Sequence, residues 1–278
     1  MSDSKSTRQP SMKARILILL TVLFAQAVYS QTGTFQWPDN KKAAICLTFD
    51  DGLDCHLDKA IPLLDSFNVK GTFYCTAYSS SLGARIPEWR KAAAEGHELG
   101  NHTLFHPCDG RRNNWVRPEY DLSNYSREEI RDELRTANTL LKAIDGREER
   151  TFAYSCGDYR VAGDSSFVDI VQALFPAARN TVQGLPSSMN SIDLHFVPSR
   201  GMHNKTGQEL IHFAEEAREK GTMAVFMFHS VGGGYLNIPT EALRELLQYL
   251  NDHSGDYWVD SFYNVTRYIA SKQQDSGE

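Results

Sequence analysis

The sequence predicts a single parallel α/β domain, on three observations. Short apolar or β-branched runs alternate with amphipathic helical patterns roughly seven times. The 278 residues, 41% of them hydrophobic, suffice for one sizeable core, and no Pro/Gly-rich linker divides them. Titratable residues gather at the carboxyl ends of several strand candidates, the arrangement of a β/α barrel. Alternation alone also fits an open doubly wound sheet. A G-x-G-x-x-G after the first strand would favour that alternative, and none is present there.

The strand candidates are 43–49, 71–77, 97–102, 151–154, 178–181, 224–228 and 257–259. Between the first two, Leu57, Ala60, Ile61 and Leu64 form one apolar helical stripe. Ser126 and Glu129 make a capping box ahead of Ile130, Leu134, Ala137 and Leu141, and Gly146 can end that helix. Thr206 and Glu209 repeat the device before Leu210, Phe213 and Ala217, with Gly221 as the stop. Thr240 is expected to cap the helix carrying Leu243, Leu246, Leu247 and Leu250. One long polar interruption, 107–125, carries Arg111, Arg112, Trp115, Tyr120 and Tyr125. It follows a strand end directly and is expected to overhang a site, with its aromatic rings as a platform for a ligand face.

Residues 1–30 read as a cleaved secretory signal. Lys13 and Arg15 give a basic start, and 16–27 is apolar but too short to span a bilayer. Val28 and Ser30 are small enough for the −3 and −1 positions of a peptidase site. The domain is therefore expected to occupy 31–278, secreted or periplasmic, with no stable membrane anchor after cleavage. A net charge of −6 makes nucleic acid a poor partner. Five cysteines (Cys46, Cys55, Cys75, Cys108 and Cys156) leave at least one free thiol. Cys108 and Cys156 lie near candidate site segments, and their spacing does not decide whether they pair.

The first strand candidate ends in Thr48-Phe49-Asp50-Asp51-Gly52. Neighbouring residues at a strand end point in different directions, so the two acids can do different jobs. Some fifty residues on, His102-Thr103-Leu104-Phe105-His106 places two imidazoles four apart, able to share an ion if the chain turns there. Two imidazoles and one carboxylate are a common three-ligand set that leaves coordination positions open. Non-haem iron oxygenases use the same count, but with a His-x-Asp/Glu segment and a β-rich fold, and neither is seen. Thr103 follows His102 where a zincin would carry Glu. Phe226-Met227-Phe228-His229-Ser230 places a titratable side chain straight after a buried strand, as suits an acid at a dry site edge.

These segments, with Phe228-His229 late in the chain, resemble the polysaccharide deacetylases with a NodB-homology domain, carbohydrate esterase family 4. The resemblance covers about 42–269. It implies a distorted (β/α)7 barrel as a single domain, in keeping with the seven alternations. It implies Asp50 as general base, His229 as general acid, and Asp51, His102 and His106 as ligands of a divalent metal. Zn²⁺ is the expected ion and Co²⁺ the alternative. Thr103 is implied as a hydroxyl beside the ligands. The reaction implied is removal of acetyl groups from an acetylated polysaccharide or oligosaccharide.

The chain departs from the family in its third motif, where Phe152-Ala153-Tyr154-Ser155-Cys156-Gly157 replaces Phe-Arg-Pro-Pro-Tyr-Gly. Cys156 is expected to offer its backbone N–H to an oxyanion, with Tyr154 and Trp115 as further substrate contacts. Ala153 stands where the family carries the arginine that orients the base. Arg200, in Val197-Pro198-Ser199-Arg200, is the expected substitute, within salt-bridge distance of Asp50. Three functions remain in play: an N-deacetylase of amino-sugar glycans, an O-acetyl esterase on xylan or a similar polymer, and a non-catalytic glycan-binding relic.

Overall fold

The computed structural model describes residues 35–275, so the leader at 1–30 lies outside the described residues. The strands are β1 (Ala43–Asp50), β2 (Thr72–Cys75), β3 (Glu98–Asn101), β4 (Phe152–Ala153), β5 (Arg160–Val161), β6 (Ser165–Ser166), β7 (Ala178–Gln183), β8 (Val197–Gly201), β9 (Met223–Phe228) and β10 (Tyr257–Val259). The helices are α1 (Ile61–Ser66), α2 (Ser80–Ala84), α3 (Ile86–Ala94), α4 (Arg127–Asp145), α5 (Val168–Leu174), α6 (Gly207–Lys220), α7 (Thr240–Asp252) and α8 (Phe262–Asp275). Seven parallel strands close a barrel in the order β1-β2-β3-β4-β7-β8-β9, and β1 pairs back onto β9 from Ala44↔Met223 to Phe49↔Phe228. β5 and β6 form a separate antiparallel hairpin.

The predicted count of seven strands holds, but the membership differs. β8 completes the ring. The predicted strand 257–259 is β10, which pairs only with the lower half of β1, Ala43 to Ile45, while β2 takes the upper half from Thr48 to Asp50. β1 thus has neighbours along both edges and is buried at every position.

Period-2 alternation divides β1 between two environments. Leu47 and Phe49 join the apolar layer with Leu64, Trp89, Phe213 and Leu243 from the helices. The barrel interior is polar. Buried Glu98 accepts from the Thr72 and Thr151 hydroxyls at 2.8 and 2.7 Å, and the Tyr74 hydroxyl lies 2.9 Å from that of Thr151. The Tyr74 ring fits because β3 has Gly100 opposite it, where a Cβ would collide with the ring. This column of hydrogen-bonded side chains leads up to the carboxyl ends of the strands.

The helix ends follow their signals. Ser126–Glu129 and Thr206–Glu209 form capping boxes, and Gly146 and Gly221 end α4 and α6 in the left-handed conformation. Thr240 is instead the first residue of α7, whose N-cap is Pro239.

Candidate active site

Asp50 is the last residue of β1, and its side chain points into the barrel, almost wholly buried. Its Oδ2 accepts from Arg179 Nη2 at 2.5 Å. Arg179 lies on β7, itself fully buried, with its guanidinium 5.1 Å from the centre of the Tyr74 ring and Nη1 3.4 Å from Ser199 Oγ. Burial pushes the Asp50 carboxyl up, but Arg179, with His102 and His229, outweighs it and holds the group below the usual carboxylate range. Asp50 Oδ1 is buried without a protein hydrogen-bond partner. One oxygen is therefore fixed by the guanidinium, and the other is unengaged by protein.

Arg200, expected in that role, does not reach Asp50. It bonds Glu216 of α6 at 2.9 and 3.0 Å and covers the face of Phe213 at 4.0 Å. The reason is strand alternation: on β8, Val197 and Ser199 turn inward, which sends Arg200 out toward the helices. The arginine that the third motif lacks is supplied one strand earlier. Arg179 carried a signal, since an arginine within 178–181, preceded by Ala177 and Ala178, is a charge in a buried strand and must have a partner.

Asp51 adopts φ +77°, which turns the chain out of the strand. Oδ1 of Asp51 lies 3.6 Å from His102 Nε2 and 3.5 Å from His106 Nε2, and the two rings are 4.8 Å apart. His102 Nδ1 donates to the Ala153 carbonyl at 2.8 Å, which leaves Nε2 as the lone-pair nitrogen facing Asp51. Ala153 therefore contributes a carbonyl to the site even though its side chain cannot replace an arginine.

The segment after β3 holds both imidazoles through its own side chains. Asn101 Oδ1 accepts from Thr103 N at 2.8 Å, and Thr103 Oγ1 accepts from His106 N at 2.8 Å. Thr103 and His106 have φ of +66° and +57°, and Cys156 has +55°. Such conformations cost on the order of 1–3 kcal/mol each and gather where geometry is functional.

Burial raises the Asp51 carboxyl to about 6, with adjacent Asp50 adding to the rise. Burial also lowers His102 to about 3 and His106 below its ordinary value. Two neutral imidazoles and a carboxylate, with donor atoms mutually within 4.8 Å, fit a borderline divalent cation in both charge and geometry.

His229 follows β9 and lies half-buried on the same cavity wall, its ring 5.6 Å from that of Tyr235. Its backbone carbonyl accepts from His56 Nε2 at 2.9 Å, while His56 Nδ1 accepts from Leu53 N at 3.2 Å. Burial holds His56 at about 4, hence neutral, and it ties the turn after Asp51 to the strand end at His229. A histidine in a helical stripe gave no sequence sign of this role.

Cys108 and Cys156 form a disulfide that joins the loop after His106 to the turn after β4. Cys108 Sγ sits 3.6 Å from His106 Nδ1. The 107–125 loop is ordered around short helical turns at Pro118–Tyr120 and Leu122–Asn124, and buried Asp158 pairs with Arg112 and accepts from Asp109 N at 2.8 Å.

The cavity above these groups measures about 910 Å³ and is lined by Asp50, Asp51, His102, His106 and His229 as well as by Tyr154, Cys156 and Trp115. Trp115 is exposed, with its ring centre 6.3 Å from that of His106. Tyr154 is buried, and its hydroxyl donates to the His195 carbonyl at 3.1 Å, so only part of it faces the cavity. Tyr120 stacks on Phe105 at 4.9 Å, and Tyr125 is buried, so neither extends the platform at Trp115 as the sequence suggested.

Residues 38–165 match the family model for polysaccharide deacetylase. Over those residues the chain is similar to the polysaccharide deacetylase domain. Among curated proteins it is similar to a gellan lyase of a Bacillus species, 27% identical over 266 residues, which are 86% of this chain and 10% of that protein. It is also similar to the peptidoglycan-N-acetylmuramic acid deacetylase PdaA of Bacillus subtilis, 27% identical over 119 residues, 42% of this chain and 40% of that protein. The chain thus spans a tenth of the length of the first relative and two-fifths of the second. Among solved structures, a family 4 acetyl xylan esterase from Clostridium thermocellum, in complex with a cobalt ion, shares the fold at TM-score 0.53 and 18% identity, over 81% of this chain and 91% of that one.

Proposed function

We propose that the protein is an exported, metal-dependent deacetylase that hydrolyses N-acetyl groups of amino-sugar glycans. One observation carries the reading: the two adjacent aspartates have opposite surroundings. Asp50 is held ionised by Arg179, whereas Asp51 faces two neutral imidazoles. Asp51, His102 and His106 would hold the ion. When bound, a divalent cation supplies Lewis acidity toward the acetyl carbonyl and toward water. Asp50 takes a proton from the attacking water with the oxygen that Arg179 leaves unengaged. His229, on the same cavity wall, returns a proton to the leaving amine, and Cys156, which also lines the cavity, would offer its backbone N–H to the developing oxyanion. General acids and bases of this kind are each worth about 10²–10⁴ in rate. Export rests on the leader pattern at 1–30.

The deacetylase name of the B. subtilis relative favours the N-acetyl substrate. A second reading, O-acetyl ester hydrolysis on xylan, is favoured by the fold shared with the acetyl xylan esterase. A non-catalytic relic is disfavoured because Asp50, His229 and all three ligand candidates are present. The deciding experiment is acetate release from chitooligosaccharides, peptidoglycan and acetylated xylan, with chelator and after adding back Zn²⁺ or Co²⁺. Release from amino-sugar glycans, lost in chelator and restored by metal, is expected. Release from xylan alone replaces the first reading by the second, and activity undiminished by chelator with no bound metal refutes both.

A further inference from the structure

The segment His102–His106 must hold two imidazoles in register across two left-handed residues, yet of its amides only that of His102 donates to a neighbouring strand, to the Cys75 carbonyl at 3.2 Å. Its amides need acceptors. Asn101 and Thr103 serve two of them. The next two, Leu104 N and Phe105 N, both donate to one oxygen of Glu133, at 3.3 and 3.2 Å. Glu133 belongs to the inward face of α4 and is almost wholly buried. Its other oxygen accepts from the Tyr125 hydroxyl at 2.6 Å. That hydroxyl also lies 3.3 Å from the Glu119 carbonyl, and the Tyr125 carbonyl accepts from Ala162 N at 3.0 Å.

One carboxylate on a rigid nineteen-residue helix therefore fastens the ligand segment and the end of the overhanging loop together. A buried carboxylate is costly unless hydrogen-bonded, and here three donors engage it. Oxygen acceptors for consecutive amides could come from water at an exposed loop. A side chain placed by a helix instead fixes where those amides sit, and with them the backbone between His102 and His106.

We infer that Glu133 is a positioning residue for the metal centre: through Leu104 N and Phe105 N it sets the spacing of His102 and His106, and through Tyr125 it couples that spacing to the loop that carries Trp115. The inference rests on the reading of Asp51, His102 and His106 as a metal site. Groups that orient ligands from behind change metal affinity by about 10–100-fold when removed.

The test is Zn²⁺ affinity, measured by competition with a chromophoric chelator on the full chain, together with the melting temperature of the metal-free protein. Glu133→Ala should weaken Zn²⁺ binding about 10–100-fold. Glu133→Gln keeps an acceptor for the two amides and should recover most of that loss. Tyr125→Phe, which removes one donor and keeps the ring, should weaken binding by less than Glu133→Ala does. At saturating Zn²⁺ the three variants should approach wild-type kcat, which separates positioning from a role in the reaction. If Glu133→Ala does not fold, Glu133→Gln and Tyr125→Phe decide: Zn²⁺ affinity equal to wild type in both overturns the inference. A lower metal-free melting temperature with unchanged affinity also overturns it, leaving a purely structural carboxylate. A wild-type chain that binds no Zn²⁺ or Co²⁺ would instead overturn the metal-site reading, and the inference with it, so the two failures are told apart.

Discussion

Asp50 and Asp51 are chain neighbours, but the halves of the site they open are built differently. On the strand side, Asp50 is fixed by Arg179, a buried guanidinium from 129 residues away, inside a closed barrel. On the loop side, Asp51 faces imidazoles carried by a segment with left-handed residues, held by Asn101, Thr103 and Glu133 and braced by a disulfide. The strand side balances a charge that burial would otherwise neutralise. The loop side balances only amide groups, and leaves its own carboxylate raised to about 6 by burial. A guanidinium bonded to one aspartate and not to the next gives the two carboxylates different electrostatics, as the proposed division between base and ligand requires.

This comparison breaks most visibly if the aspartates are exchangeable. Asp51→Asn should abolish tight metal binding and, with it, activity, whereas Asp50→Asn should keep its metal in elemental analysis and lose about 10²–10⁴ in kcat. Equal metal content and equal loss in both variants would end the division of labour.

Next in size is Arg179→Met. Stranding a buried carboxylate costs about 3–5 kcal/mol of stability, read from denaturant unfolding. The Asp50 carboxyl should also rise, because burial then loses its main counterweight, moving the acid limb of the pH–rate profile upward. Adding Asp50→Asn should recover much of the stability, and a strictly additive double variant would show that the pair is not coupled.

Reducing the Cys108–Cys156 disulfide with a dithiol should loosen the loop side and the turn that carries the Cys156 N–H. We expect roughly 2–4 kcal/mol of lost stability, weaker metal retention, and a fall in kcat that saturating metal restores only in part. A kcat fully restored by metal would remove the Cys156 N–H from the chemistry. The smallest effect belongs to Arg200→Ala: its Glu216 pair is partly exposed, such pairs contribute about 0–1 kcal/mol, and kcat should stay within twofold. A large fall in kcat would reopen the assignment of Arg179.

Much of this was legible in the sequence. The apolar run before Asp50, the four-residue spacing of His102 and His106, and the position of His229 after Phe226-Met227-Phe228 all report strand ends, because a buried strand stops where polar side chains begin. The capping boxes of α4 and α6 were readable for the same local reason. What stayed hidden depends on partners distant in the chain. β8 escapes the strand pattern because Val-Pro-Ser-Arg-Gly is short and mixed, with an inward face that meets a polar interior rather than an apolar one. Arg179 is visible as a charge in a buried strand, but its partner is set by barrel closure, and the outward turn of Arg200 depends on which face of β8 lies inward. The Cys108–Cys156 pairing and the acceptor role of Glu133 depend on how two loops and a helix meet, which spacing does not encode.

The closure of the barrel between β1 and β9 has a bearing on how the chain is made. β1 is the first of the described strands to leave a ribosome, yet its register partners run to Phe228 along one edge and Val259 along the other. Contacts of such sequence separation form late. During synthesis the Asp50 strand therefore waits with an open edge while most of the domain is still being translated, which is the stage at which an apolar strand is most prone to mispair. Burial of Asp50 beside Arg179 and completion of the fold become one event, so a partly made chain should carry the motifs without the site they build.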